Sequence, residues 1–193
     1  MPHTTVDEII DLLWIHPEHS EWRPKVKTIP LALIKEWMKS SDIEVLGLVE
    51  SIIFERRFRI EPDLSLDDYM PFFRIYYGRC FRENPDGDWS DSRWTAGWDL
   101  ANVLSSLWHS KSVPREILDE WKKWLEDLYK EGSQEIRTCI VQATLEHLLE
   151  QKAFRKFFSD WKDDAVLKQA YEKALEWHEG GGRTPLGKPP WTA

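Results

Sequence analysis

Cysteine is scarce in this sequence, which holds only Cys80 and Cys139 among its 193 residues. Both lie among apolar neighbours at helical spacing, and two distant cysteines do not make the disulfide framework of a small secreted domain. We therefore expect two buried free thiols. No apolar run approaches the roughly 20 residues that a membrane-spanning helix needs, and no basic start leads into an apolar stretch as in a signal peptide. These absences predict a cytoplasmic protein without a membrane partner.

Metal-binding and catalytic signatures are also missing. None of the six histidines forms the pair, four positions apart around a glutamate, that zinc proteases use. No Gly-x-Ser-x-Gly element surrounds a serine, and the glycines at 180–182 follow a predicted helix, whereas a phosphate loop opens one. A calcium loop beginning at Asp86 would require a glutamate where Gly97 stands. We therefore expect no enzyme activity, no metal and no cofactor.

Basic charge is in deficit, because 26 lysines and arginines are outnumbered by 34 acidic residues, for a net charge of −8. A nucleic-acid groove needs a basic face, and Arg56-Arg57-Phe58-Arg59 is the only candidate for one. The excess acid is concentrated in residues 86–127, with nine acidic and five basic residues. We predict no nucleic-acid partner, and a protein partner with a basic surface.

Tryptophan, in contrast, is abundant. The chain has 12, where typical usage gives about two or three at this length. Tryptophan fills cores and also anchors protein interfaces. Twelve are more than a core of this size obviously needs, so exposed tryptophans mark where a search for function should begin.

Apolar residues recur at helical spacing along most of the chain. The clearest helix is predicted to be capped by Ser112, to carry Pro114 in its first turn and to end at Gly132. The other predicted helices begin at or next to Thr5, Pro30, Asp42, Leu66, Asp91 or Ser92, Ser133, Ala153, and Asp163 or Asp164. The helix after Asp42 is expected to reach about Phe58, and no strand is predicted.

This pattern predicts an all-α fold. We expect about eight or nine short helices packed as antiparallel hairpins, with an α-solenoid as one form of that packing. Residues 1–180 are predicted to form a single helical domain. Residues 181–193, rich in glycine and proline, are predicted to form a C-terminal tail.

The most distinctive segment runs from Asp86 to Trp94, where nine residues hold three carboxylates, two tryptophans and an arginine. One interpretation is a solvated loop that caps the following helix. The other is a protein-binding surface, because aromatic anchors within a charged rim are typical of interface hot spots. On the second interpretation, the residues predicted to bind the partner are Asp86, Asp88, Trp89, Asp91 and Arg93.

Several strings in the second half of the chain carry a family likeness. They are Arg93-Trp94-x-x-Gly97-Trp98-Asp99-Leu100, Trp124-Leu125-x-x-Leu128-Tyr129-Lys130, Leu145-Glu146-His147-Leu148-Leu149-Glu150, Phe157-Phe158-x-Asp160-Trp161 and Ala174-Leu175-x-Trp177. Together they resemble an uncharacterised family of small all-helical bacterial proteins, over roughly residues 66–178. Such proteins are similar to the cytosolic immunity proteins that accompany bacterial toxins. The resemblance implies no catalytic residues.

Three functions follow as hypotheses. The first is a bacterial immunity-type protein that binds a partner toxin and neutralises it by occlusion. The second is a helical scaffold or regulatory module that binds another protein. The third is an enzyme or small-ligand binder with an aromatic pocket, for which the candidate lining residues are Trp94, Trp98, Tyr76 and Tyr77.

Overall fold

The computed structural model describes residues 5–13, 27–54 and 58–179. Its Cα positions group the chain into two compact units, residues 1–96 and residues 97–193. Helices dominate the described part of each unit, so the predicted all-α fold class is confirmed. The single domain over 1–180 and the solenoid form stay predictions. The predicted tail at 181–193 and the Arg56-Arg57 pair lie outside the described residues.

The described residues of the first unit form four helices, two strands and the start of a fifth helix. These are α1 (Val6–Leu13), β1 (Lys27–Pro30), α2 (Leu31–Trp37), α3 (Ile43–Phe54), β2 (Phe58–Glu61), α4 (Leu66–Glu83) and α5 (Arg93–His109). Side chains accept free N–H groups in the first turns of α1 and α3. The Thr5 hydroxyl accepts the Glu8 N–H at 3.3 Å, and the Asp42 carboxylate accepts the Glu44 N–H at 3.0 Å. The predicted starts of α1 and α3 are thereby confirmed.

Helix α3 lies at the centre of this unit and contacts α1, α2, α4 and β2. Every residue from Val45 to Glu50 is buried, so α3 lacks the polar face of a surface helix. Helix α4 supplies a run of stacked rings, with Phe73 and Tyr77 at a centroid distance of 5.7 Å and an interplanar angle of 17°. The core of the first unit therefore lies around α3 and the aromatic side of α4.

The two strands were not predicted. They pair in parallel, with Lys27 opposite Phe58 and Pro30 opposite Glu61. Helix α3 ends at Phe54, so the expectation that it reaches about Phe58 is wrong, because Phe58 begins β2. Each strand has only four residues, too few for an alternating pattern to stand out from the sequence around it.

The described residues of the second unit form the rest of α5 and a series of further helices, several of them short. These are α6 (Arg115–Glu131), α7 (Gln134–Cys139), a π-helical segment (Ile140–Leu145), α8 (Glu146–Leu149), α9 (Lys152–Phe157), a 3₁₀ turn (Ser159–Asp163) and α10 (Ala165–Glu179). Pro114 occupies the N-cap position of α6, so the prediction that Ser112 caps this helix is wrong. The predicted end of α6 at Gly132 is confirmed. So are the caps by Ser133 and Asp164.

The core of the second unit is built around two buried tryptophans, Trp121 and Trp161. The buried indole N–H of Trp161 donates to the Glu126 carboxylate at 2.9 Å and is therefore not left without an acceptor. Helix α10 contacts the π-helical segment, α8 and α6. None of the described helices combines the length and the apolar character that crossing a membrane requires.

Candidate functional site

The α4–α5 loop, residues 84–92, is the distinctive acidic segment of the sequence. It leaves α4 through Asn84, which has a left-handed backbone with φ of 49° and whose N–H donates to the Cys80 carbonyl at 3.0 Å. Asp86 is also left-handed, with φ of 47°. Asparagine and aspartate are the residues other than glycine that adopt this conformation most readily. The sequence therefore builds a sharp turn at the end of α4.

A side chain from α3 holds the middle of this loop. The Glu44 carboxylate accepts the Trp89 backbone N–H at 2.9 Å and also accepts the Ser90 hydroxyl. Gly47, one turn further along α3, lies against the backbone of Trp89 and Ser90, where a methyl group would overlap the Trp89 carbonyl. Glycine is required at this position because the loop backbone approaches the helix so closely.

The end of the loop is fixed to α4 by two further anchors. The Tyr76 hydroxyl donates to the Asp91 carboxylate at 3.1 Å and accepts the Asp91 N–H at 2.9 Å. The Arg93 guanidinium donates to the Phe81 carbonyl at 2.6 Å, near the C-terminal end of α4, where a cation is favourable. The Arg93 backbone N–H donates to the Asn84 side chain at 2.9 Å. Both ends of the loop are thus held by α4 and the start of α5.

A buried polar cluster lies behind this end of the loop. The Tyr77 hydroxyl donates to the Glu50 carboxylate at 3.0 Å, and carboxylate oxygens of Glu50 and Asp91 lie within 4.8 Å of each other. Burial raises the pKa of Asp91 to about 6 and the pKa of the Cys80 thiol to about 12. Burial also raises the pKa of Tyr76, so its hydroxyl remains a donor at neutral pH.

The Glu50 and Asp91 carboxylates serve as hydrogen-bond acceptors. Glu50 accepts from the Tyr77 hydroxyl, and Asp91 accepts from the Tyr76 hydroxyl. The simplest account of the cluster is structural. It connects α3, α4 and the loop through buried hydrogen bonds.

The five residues predicted to bind a partner take two different positions. Asp86 and Asp88 are exposed, and within the described parts of the chain neither carboxylate forms a hydrogen bond or an ion pair. Trp89 is half-buried, with its backbone bound to Glu44. Asp91 and Arg93 are also half-buried, and their side chains contribute to the anchors of the loop. Partner binding by these residues stays a prediction, and Asp86 and Asp88 have the most accessible side chains.

The four residues predicted to line an aromatic pocket also differ in exposure. Tyr76 and Tyr77 are fully buried inside the first unit, and their hydroxyls are occupied by Asp91 and Glu50. Trp94 is 42% exposed and Trp98 is 44% exposed on α5. A pocket formed by these residues stays a prediction.

Some of the functional geometry has no signal in the sequence. Glu44 and Trp89 are 45 residues apart, and no motif connects them. Gly47 does give a signal, because an isolated glycine inside an apolar helix usually has a packing reason. That signal predicts a close neighbour without naming it.

No protein-family model, curated protein or solved structure matches this chain.

Net charge distinguishes the two units. Residues 1–96 contain 18 acidic and 12 basic residues, a net charge of −6, whereas residues 97–193 contain 16 and 14, a net charge of −2. Most of the excess negative charge therefore lies in the unit that carries the α4–α5 loop. A basic partner would be attracted to this unit more than to the other.

Proposed function

We propose that this protein is a non-catalytic binding protein that captures a partner protein through the α4–α5 loop. The observation that carries the proposal is the contrast within the loop. Its backbone N–H groups at Trp89 and Asp91 are bound by Glu44 and Tyr76, whereas the carboxylates of Asp86 and Asp88 are exposed to solvent. A loop that is already ordered loses little conformational entropy when it binds.

The partner that fits this loop is a protein with a basic surface. Two exposed carboxylates on a unit of net charge −6 favour association with a cationic face and raise the rate of encounter. The half-buried Trp89 lies beside them and can contribute apolar contact area. We expect the charged groups to contribute mostly specificity and association rate, and the tryptophan to contribute contact area.

The specific form that we propose is an immunity-type protein that neutralises a bacterial toxin by covering its basic surface. The support for this form is the resemblance of residues 66–178 to small helical proteins similar to toxin-immunity proteins, together with the acidic loop. Occlusion needs no catalytic residue, which agrees with the lack of any catalytic motif in the sequence.

Capture from the native host tests the proposal. Tagged full-length protein is used to purify partners from host cells, which are then identified by mass spectrometry and assayed with and without the captured protein. The expected result is a stoichiometric basic partner whose toxic activity is blocked at a one-to-one ratio. Failure to retain any stoichiometric partner, or a retained partner whose toxicity is unchanged, would contradict the proposal.

A further inference from the structure

A cavity of about 500 Å³ opens in the second unit, at the end of α5, the first turns of α6 and helix α9. Its lining includes Trp108, Arg115, Asp119, Lys122, Lys156 and Phe157. This volume falls within the range of pockets that hold small organic ligands. No residue of the α4–α5 loop lines this cavity, so it is separate from the surface in the proposed function.

Aromatic rings form one side of the cavity. The rings of Trp108 and Phe157 are 5.3 Å apart between centroids, and Phe154 packs behind Trp108 at 4.9 Å. The Arg115 guanidinium carbon lies 4.4 Å from the Trp108 ring centroid and 4.2 Å from the Phe157 ring centroid. Cation–π contacts thus hold the planar guanidinium at the cavity wall.

The charged lining is mainly basic, although the whole protein is acidic. Arg115, Lys122 and Lys156 contribute three cations, and Asp119 contributes one carboxylate. Asp119 forms an ion pair with Arg115, with 3.7 Å between the Asp119 carboxylate and the Arg115 Nε, and both side chains are exposed, so the pair is weak. Lys156 is exposed and, among the residues the structure describes, forms no ion pair. Lys122 and Arg115 each have an acidic partner, so the positive charge of Lys156 is the part of the lining that a bound anion would neutralise.

One of the three cations is built into the wall. The Lys122 side chain is only 10% exposed, and its ammonium donates to the Phe157 carbonyl at 2.9 Å and to the Asp160 carboxylate. A buried ammonium retains its charge only where acceptors surround it. Lys122 thus fixes the Phe157 end of the cavity. The cations available to a ligand are Lys156 and Arg115, whose exposed ion pair with Asp119 a phosphate can replace.

We propose that this cavity binds a small molecule that joins a planar ring to a phosphate group, the chemistry of a nucleoside monophosphate. The phosphate binds between Arg115 and Lys156, because a guanidinium and an ammonium are the side chains that recognise phosphate best. The planar ring stacks on the guanidinium of Arg115, which itself lies over the Trp108 and Phe157 rings. The proposal concerns binding alone and requires no chemical step.

Calorimetric titration of the full-length protein with three probes tests this site. The probes are adenosine 5′-monophosphate, which has both groups, adenosine, which lacks the phosphate, and ribose 5-phosphate, which lacks the ring. We expect the monophosphate to bind at least about tenfold more tightly than either fragment. Absence of binding by the monophosphate, or equal affinity for ribose 5-phosphate, would overturn the proposal.

Charge variants locate the binding. Lys156→Glu and Arg115→Gln are each expected to weaken monophosphate binding by about tenfold. Lys152→Glu on the same helix, outside the cavity lining, is the matched control and should change affinity by less than about twofold. If Arg115→Gln loses its helical circular dichroism, its affinity is disregarded and the location of the site is judged from Lys156→Glu.

Equal affinity of Lys156→Glu and Lys152→Glu for the monophosphate would show that this cavity is not the site. Lys156→Glu should leave partner capture by the α4–α5 loop unchanged. A failure of the ligand-binding proposal can therefore be told apart from a failure of the proposed function.

Discussion

The Glu44 carboxylate and the Trp89 backbone N–H, 45 residues apart in sequence, are joined by a hydrogen bond of 2.9 Å. The same carboxylate accepts the Ser90 hydroxyl. One side chain of α3 therefore satisfies two donors of the α4–α5 loop. If this loop is the binding surface, α3 controls its shape without touching the partner.

Replacing Glu44 with alanine should loosen the loop. Hydrogen bonds to a charged acceptor are stronger than neutral ones, so we expect a loss of about 2 kcal/mol in the free energy of unfolding. Urea denaturation followed by circular dichroism measures the change. Glu36→Ala, an exposed glutamate on α2, is the control and should cost less than about 0.5 kcal/mol. Equal losses in the two variants would show that the Glu44 contacts do not stabilise the fold.

Replacing Gly47 with alanine should displace the loop from α3. The added methyl group would overlap the Trp89 carbonyl and the Ser90 Cα, which are backbone atoms with little freedom to move. We expect a loss of about 2 kcal/mol in unfolding free energy by thermal or urea denaturation. Ser51→Ala, at a half-buried position on the same helix, should have an effect below about 0.5 kcal/mol. A Gly47→Ala protein as stable as Ser51→Ala would contradict the close packing.

The Asp91 carboxyl should make stability depend on pH. Burial raises its pKa to about 6 in the folded protein, against an ordinary value of 3.8 for a free aspartate, so the folded state holds this proton more tightly than the unfolded state. The favourable contribution is complete below about pH 4 and is lost as pH rises through 6. Between pH 4 and 7, wild type should lose about 2 kcal/mol relative to Asp91→Asn. A stability difference between the two proteins that does not change with pH would contradict the raised pKa.

The two cysteines should resist thiol reagents in the folded protein. Cys80 and Cys139 are both buried free thiols, which confirms the expectation from the sequence. Because burial raises the pKa of Cys80 from 9.0 to about 12, its thiolate fraction at pH 8 falls by about a thousandfold. Ellman's reagent should label neither residue at pH 8 and both residues in denaturant. Rapid labelling of the native protein would show that one thiol is accessible.

Local sequence patterns predicted the helices well, and short-range signals explain why. Thr5, Asp42, Ser133 and Asp164 each cap the helix that the sequence assigned to them, because a cap depends on residues within one turn. The β1–β2 pair was missed, because partners such as Lys27 and Phe58 are brought together by tertiary packing. The π-helical segment Ile140–Leu145 has an ordinary apolar periodicity that does not distinguish it from an α-helix.

The candidate site was predicted only in part, because the contacts that hold the loop form by tertiary packing and leave no local pattern in the sequence. Charge and aromatic density drew attention to residues 86–94, and the exposure of Asp86 and Asp88 agrees with a binding surface. The sequence could not separate these residues from Asp91 and Arg93, whose side chains hold the loop in place. Asp91 and Arg93 differ from the exposed aspartates because their side chains bind Tyr76 and Phe81 of α4. These contacts form only in the folded structure.

The proposal that the α4–α5 loop binds the partner is tested most directly by reversing the charge of the loop. The dissociation constant of the captured partner is then measured for the variant and for the wild type. Asp86→Lys with Asp88→Lys should weaken binding by about 100-fold, because the proposed function places both carboxylates against the partner's basic surface. Glu36→Lys with Asp63→Lys changes the net charge equally at two exposed positions of the first unit and should alter affinity by less than about threefold at physiological salt. Equal affinity of the two double variants would contradict a binding site on the α4–α5 loop.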